Sequence, residues 1–130
     1  VNYQDEYQPG AIRYEVGESA NFILTPMLTE ALRQVNAWGP ENIQAYCKSI
    51  AHEAQQELGK MGYQIESADY RSEHLFGVRL PKSLNLEIVK NRLAADKVFV
   101  SVRGSSIRLS PHVYNTKEDF GSLLHSLRQV

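Results

Sequence analysis

The sequence predicts an α+β fold: a two-layer small domain with helices packed on a mostly antiparallel sheet, in the order ααββαββα. Three observations predict it. Two stretches in the first half carry apolar residues at helical spacing. Short runs in the second half are apolar with strand character, one alternating cleanly with period two. Neighbouring runs adjoin through short turns, which implies antiparallel or mixed pairing with helices on one face.

Each element follows from its residues. Residues 1–22 are polar, contain Pro9, Gly10 and Gly17, and show no sustained period, so they are expected as an extended lead-in. Met27, Leu28, Ala31, Leu32, Val35 and Trp38 then fall at helical spacing, predicting a helix with one buried stripe. Thr25 is the expected N-cap, with Pro26 at the first helical position and Gly39-Pro40 as the break. From Pro40 a longer helix aligns Ile43, Tyr46, Cys47, Ile50, Ala54, Leu58 and Met61, and Gly62 stops it.

Tyr63–Glu66 and His74–Leu80 are expected strands, closed by Pro81. Ser83 or Asn85 caps a third helix with Leu86, Val89 and Leu93 inward. Residues Val98–Arg103 form a strand by their alternation; Gly104-Ser105-Ser106 turns, and Ile107–Ser110 returns. Thr116 opens the last helix, with Glu118 and Asp119 in the first turn where the dipole favours negative charge, and Phe120, Leu123, Leu124 and Leu127 inward.

Composition excludes several function classes. An apolar share of 42% with 22% charged residues is that of a soluble globular protein. A formal net charge of −1 with scattered basic residues argues against nucleic-acid and anionic-membrane partners, which demand clustered positive charge. Cys47 is the only cysteine, so no disulfide framework exists, and a reducing, cytoplasmic setting is expected. No apolar run reaches the roughly 20 residues that span a bilayer, and residues 1–10 do not form a signal peptide.

The candidate sites thin out quickly. His52, His74, His112 and His125 form no ligand-spaced motif, so no metal is expected; His52 and His125 suit solvated helix faces. Cys47 falls mid-helix on the apolar side, where a thiol acts as a small hydrophobe. Gly104-Ser105-Ser106 joins two strands and feeds no helix N-terminus, so it is not a phosphate loop. Arg103 and Arg108 flank that turn. Pattern alone reads them as a solvated strand face, although an arginine can also grip a carboxylate through two parallel hydrogen bonds.

Two segments carry a resemblance that bears on those arginines. Arg13-Tyr14-Glu15-Val16-Gly17-Glu18-Ser19-Ala20-Asn21-Phe22 resembles the segment near the end of the large domain in class V aminotransferase-like enzymes. Residues 100–116, from Val100 through Arg103, Arg108 and Ser110-Pro111-His112-Val113-Tyr114-Asn115 to Thr116, are similar to that family's closing strand, Arg-x-Ser strand and Tyr-Asn-Thr helix start. The family belongs to the fold-type I enzymes that depend on pyridoxal 5'-phosphate (PLP). It includes cysteine desulfurases, selenocysteine lyases, kynureninases and isopenicillin-N-epimerase-like proteins.

The resemblance implies a division at 22/23: the end of the large domain in 1–22 and the C-terminal small domain in 23–130. It implies that Arg108 binds the α-carboxylate of an amino-acid substrate, with Arg103 as a second substrate-binding candidate. Ser19 and Asn21 are the implied cofactor-binding candidates, through the PLP phosphate of a neighbouring subunit in a homodimer. No cysteine stands in Gly104-Ser105-Ser106, where desulfurases of the family keep their catalytic one, so persulfide-forming desulfuration is not expected and transaminase, lyase or epimerase-like chemistry stays open. The cofactor's lysine and its ring partners belong to the family's large domain. No catalytic residue is therefore expected in this chain, which is expected to be a fragment or separately expressed domain, inactive alone. The competing expectation is a free-standing α+β module that binds a metabolite or a protein.

Overall fold

The computed structural model describes residues 5–15 and 21–130. The chain divides into two compact units, Val1–Ala37 and Trp38–Val130. In the first, residues Gly10–Tyr14 make a single 3-10 turn where an extended lead-in is predicted. Helix α1, Leu24–Trp38, starts one residue before the predicted cap. Asn21 is the reason: its Oδ1 accepts the Leu24 N–H at 2.7 Å and its carbonyl accepts the Thr25 N–H at 3.1 Å, which draws Thr25 into the helix. The predicted stripe forms, but it is not buried. No residue of α1 is, and Met27, Leu28 and Leu32 are all more than half exposed.

The second unit begins with a break between helices at Gly39. Gly39 adopts φ +81, and a Cβ there would come within 2.8 Å of the Asn42 amide, so only glycine turns the chain comfortably into α2, Pro40–Lys60. Helix α2 buries Ile43, Cys47, Ile50, Ala51, Ala54 and Leu58; of the predicted face, Tyr46 stays partly exposed and turns its hydroxyl to the Asn115 carbonyl at 2.8 Å.

Strands β1 (Gln64–Ile65), β2 (Phe76–Arg79), β3 (Ser101–Arg103) and β4 (Ser106–Leu109) form one antiparallel sheet in the order β1-β2-β4-β3. Each ladder is shorter than or shifted from its predicted run. Val98 and Val100 still pack on the core although the β3 ladder starts only at Ser101. Helix α3 (Leu86–Ala95) is capped by Asn85, whose Oδ1 accepts the Glu87 N–H at 2.8 Å, which decides between the two predicted caps. Helix α4 (Lys117–Leu127) opens with a capping box between Thr116 and Asp119.

The core lies between one sheet face and helices α2, α3 and α4. Phe76, Val78, Ile107 and Leu109 point into it from the central strands, and Leu58, Val89, Leu93, Phe120, Leu123 and Leu127 meet them from the helices. The intervening strand positions, Gly77, Arg79, Ser106 and Arg108, therefore share the opposite, open face. The α3–β3 junction has no glycine. Lys97 takes the left-handed conformation at φ 59, and Asp96 beside it holds Ser126 Oγ at 2.7 Å and Arg92 Nε at 2.8 Å. The Ser126 hydroxyl and the Arg92 guanidinium keep the Asp96 carboxyl below its usual range.

Cys47 is fully buried with its thiol facing the Pro111 carbonyl at 3.5 Å, so the structural role read from its mid-helix place holds. Burial pushes the Cys47 thiol up, with the Glu73 charge adding to it, and burial also raises the Tyr63 hydroxyl, which has no hydrogen-bond partner among the described residues. Both groups have folded values above their unfolded ones. Their contribution is full at neutral pH and is lost as pH rises, because the unfolded chain ionises first. The melting temperature is accordingly expected to fall as pH climbs from roughly 8.5 to 11. A Tyr63→Phe chain should lose the part of that fall near pH 10, and an unchanged profile in that variant would contradict the assignment.

Candidate functional site

Register places the predicted arginines. Arg108 sits on β4, opposite Gly77 of β2 on one side and Ser101 of β3 on the other. Ile107 and Leu109 are buried on either side of it in sequence, which fixes its side chain on the open face. The arginine is half-buried. Its Nη2 lies 3.4 Å from Ser101 Oγ, a long contact, and its Nε is shielded from solvent with no partner among the described residues. Gly77 leaves the space beside it open: a Cβ built there would meet nothing within 4 Å.

Arg103 shares this face one row away. It is paired in register with Ser106, exposed, and its Nη1 donates to the Val102 carbonyl at 2.8 Å. The two-residue turn between the strands needs Gly104 at φ +57, which suits the hairpin's twist. Arg79, which periodicity alone did not single out, pairs with the same Ser106 from the other side. The alternation Phe76, Val78 and Leu80 already turned Arg79 outward; only the strand order brings it near the other two.

The remaining candidates stand apart from this face. Ser19 lies outside the described residues. Asn21 is engaged as the cap of α1 through its side-chain oxygen, which leaves its amide N–H groups for any other contact. His52 and His125 are exposed on helices; His74 precedes β2 and meets Gln44, and His112 stacks on Tyr114 at 5.8 Å and tilts against Trp38 at 6.3 Å. Among the described residues no three His, Cys, Asp or Glu side chains gather as a metal site would require, and no helix is long and apolar enough to cross a membrane.

A polar strut underlies the start of β2. Arg71 donates from Nη1 to Glu73 at 2.7 Å, from Nη2 to Gln55 Oε1 at 3.0 Å and from Nε to the Glu66 carbonyl at 3.0 Å, with its guanidinium 5.4 Å from the Phe76 ring centre. The two charged side chains are only 10% and 14% exposed, which sets this pair apart from the other ion pairs described. Gln44 extends the strut by accepting the Glu73 N–H at 2.9 Å. Helix α2 thereby holds the connection that delivers Gly77 to Arg108.

No protein-family profile matches the chain. Over 128 residues it is 29% identical to a protein described as an uncharacterized aminotransferase, YcbU, of Bacillus subtilis (strain 168). That match takes in 98% of this chain and 33% of the relative, so the chain spans about a third of that relative's length. A solved structure described as a NifS-like protein shares the fold over 68% of this chain and 28% of its own, with a TM-score of 0.59 and 18% identity.

Proposed function

We propose that this chain is the C-terminal small domain of a larger PLP-dependent, class V aminotransferase-like enzyme, and that Arg108 takes the α-carboxylate of its amino-acid substrate. The observation that carries the proposal is the setting of Arg108: a half-buried guanidinium on a central strand, with no carboxylate partner among the described residues and open space over Gly77. A charge held out of water without a counter-ion is costly, so such a group favours an anion that arrives later. Arginine's planar fork matches a carboxylate with two parallel hydrogen bonds, which fixes orientation as well as affinity. Likeness to an aminotransferase over nearly the whole chain supports the amino-acid class of substrate.

None of the lysines among the described residues is set to hold PLP. Lys60, Lys90 and Lys117 are each held by a glutamate, and Lys48, Lys82 and Lys97 are exposed. A lysine that captures a carbonyl works from a desolvated pocket, and none of these has one. In this reading the cofactor, which supplies the electron sink, is held by the rest of the longer protein in a homodimer. This domain's part is to orient the substrate and limit its motion, with Arg103 as a neighbouring contact. The exposed stripe of α1 supports further protein packing on that helix.

In the longer protein, Arg108→Ala is expected to weaken amino-acid binding by about 30- to 100-fold, the worth of a charged hydrogen-bonded pair. Binding of PLP should hardly change, and Arg108→Lys should recover only part of the loss because the fork is gone. Titrations of each ligand separate the cases. An equal loss of amino acid and PLP would refute the assignment.

A further inference from the structure

Arg108 is not the only arginine without a carboxylate partner among the described residues. Among residues 21–130, Arg33, Arg71, Arg92 and Arg128 each face a carboxylate within ion-pair distance. Arg79, Arg103 and Arg108 do not, and these three occupy one sheet face. Register sets them out: Gln64, Arg79, Ser106 and Arg103 form one row across all four strands, and Gly77, Arg108 and Ser101 form the next.

Arg79 and Arg103 flank Ser106 two strands apart, about 10 Å between Cα atoms at ordinary strand spacing. Each lies diagonally from Arg108 at about 7–8 Å. Side chains of arginine's length can bring their guanidinium groups together over Ser106 from those positions. No paired position of either row is acidic, although Glu66 directly follows β1 at the end of the second row. Glu66 does line the groove of about 470 Å³ together with Gln64, Ile65, Gly77, Arg79 and Ser106, yet among the described ion pairs it makes none with Arg79, so at most one negative charge stands against three positive ones there. In a chain of net charge −1, three cations on one small face with no carboxylate ion pair among the described residues are a local excess that repels itself until an anion neutralises it.

We infer that this face binds two acidic groups at once, so that the substrate is an amino acid carrying a second anionic group on its side chain. The inference rests on Arg108 as the α-carboxylate site. Arg79 and Arg103 then receive the second group, and Ser106 between them has a hydroxyl to donate. A neutral side chain would leave both guanidinium groups unpaired, so selectivity comes from the charges it fails to satisfy. Gln64 at the end of the row adds a neutral donor at the outer edge.

The test uses this chain with glutarate and butyrate as probes, at fixed ionic strength, following the arginine Nε–H signals by NMR. Glutarate is expected to bind at least about tenfold tighter than butyrate, well beyond the factor of two that a second identical carboxylate gives by chance. In R79Q/R103Q that ratio should fall to about two. A ratio near two in the unaltered chain, or a preference that survives R79Q/R103Q, overturns the inference while leaving Arg108 intact. Butyrate binding unchanged in R108Q instead overturns the Arg108 reading, and no shift with either probe overturns both.

Discussion

Ile107→Ala is expected to lower the free energy of unfolding by about 3–4 kcal/mol, as for other large aliphatic side chains truncated in a packed core. Ile107 is fully buried at the middle of the sheet, between Val78 and Val102 in register, so little around it can collapse into the space left behind. Against a total stability of about 5–15 kcal/mol for a domain, that loss is a large fraction. It corresponds to a fall in melting temperature of about 15 °C or more for a unit of this size. Urea unfolding gives the number directly. Ile107→Val should cost only about 1 kcal/mol, and an alanine variant losing no more than the valine one would mean that the centre of the sheet is not tightly packed.

Arg71→Met is expected to cost about 3 kcal/mol, and the direction of a second change tests the reason. The methionine keeps the packed stem but leaves the largely buried Glu73 carboxylate without its counter-ion and Gln55 Oε1 without its donor. Most of the loss is then the penalty of a stranded charge. Adding Glu73→Met removes that charge, and the double variant should recover most of the stability, as apolar replacements of buried ion pairs do. Urea midpoints for the two singles and the double complete the cycle. Simple addition of the two single losses would show instead that each side chain acts through its packing. Since this strut guides the chain into β2, Arg71→Met should also loosen whatever Arg108 holds.

How much of this was legible beforehand depends on whether the determining contacts are local. Helix α2 could be read because Ile43, Cys47, Ile50, Ala54 and Leu58 repeat at the period that buries one stripe. Helix α4 could be read because its capping box is complete within Thr116–Asp119. The start of α1 departs from the apolar pattern because Asn21, outside that pattern, satisfies the first helical N–H groups before Thr25 can. Its stripe was periodic, but periodicity says which residues share a face and not what covers that face. The polar stretch 67–73 between the first two expected strands carries no period to read, since Arg71 finds Gln55 through packing that no local pattern encodes.

The site divides the same way. Alternation alone turned Arg103 and Arg108 outward, and only the resemblance of residues 100–116 to a family pattern offered a reason to expect more of Arg108 than of an ordinary solvated arginine. Arg79 joined them only through the order β1-β2-β4-β3, a property of the whole sheet. Cys47 and the exposed helical histidines behaved as their positions suggested, because burial on one helix face is a local matter.

That strand order also has a bearing on how the chain acquires its structure. Strands β1 and β2 are near neighbours in sequence, as are β3 and β4, so each pair closes a short loop. The β2–β4 ladder joins the two pairs across α3 and is the one non-local seam among the described strands. Forming it requires the larger loop-closure entropy to be met before its contacts repay it, which makes docking of the two hairpins the slow part of assembly. Gly77 and Arg108 face each other across this seam. A hairpin that forms alone has the arginine beside Ser101 but no second wall, so a carboxylate held at Arg108 marks a chain whose halves have already docked.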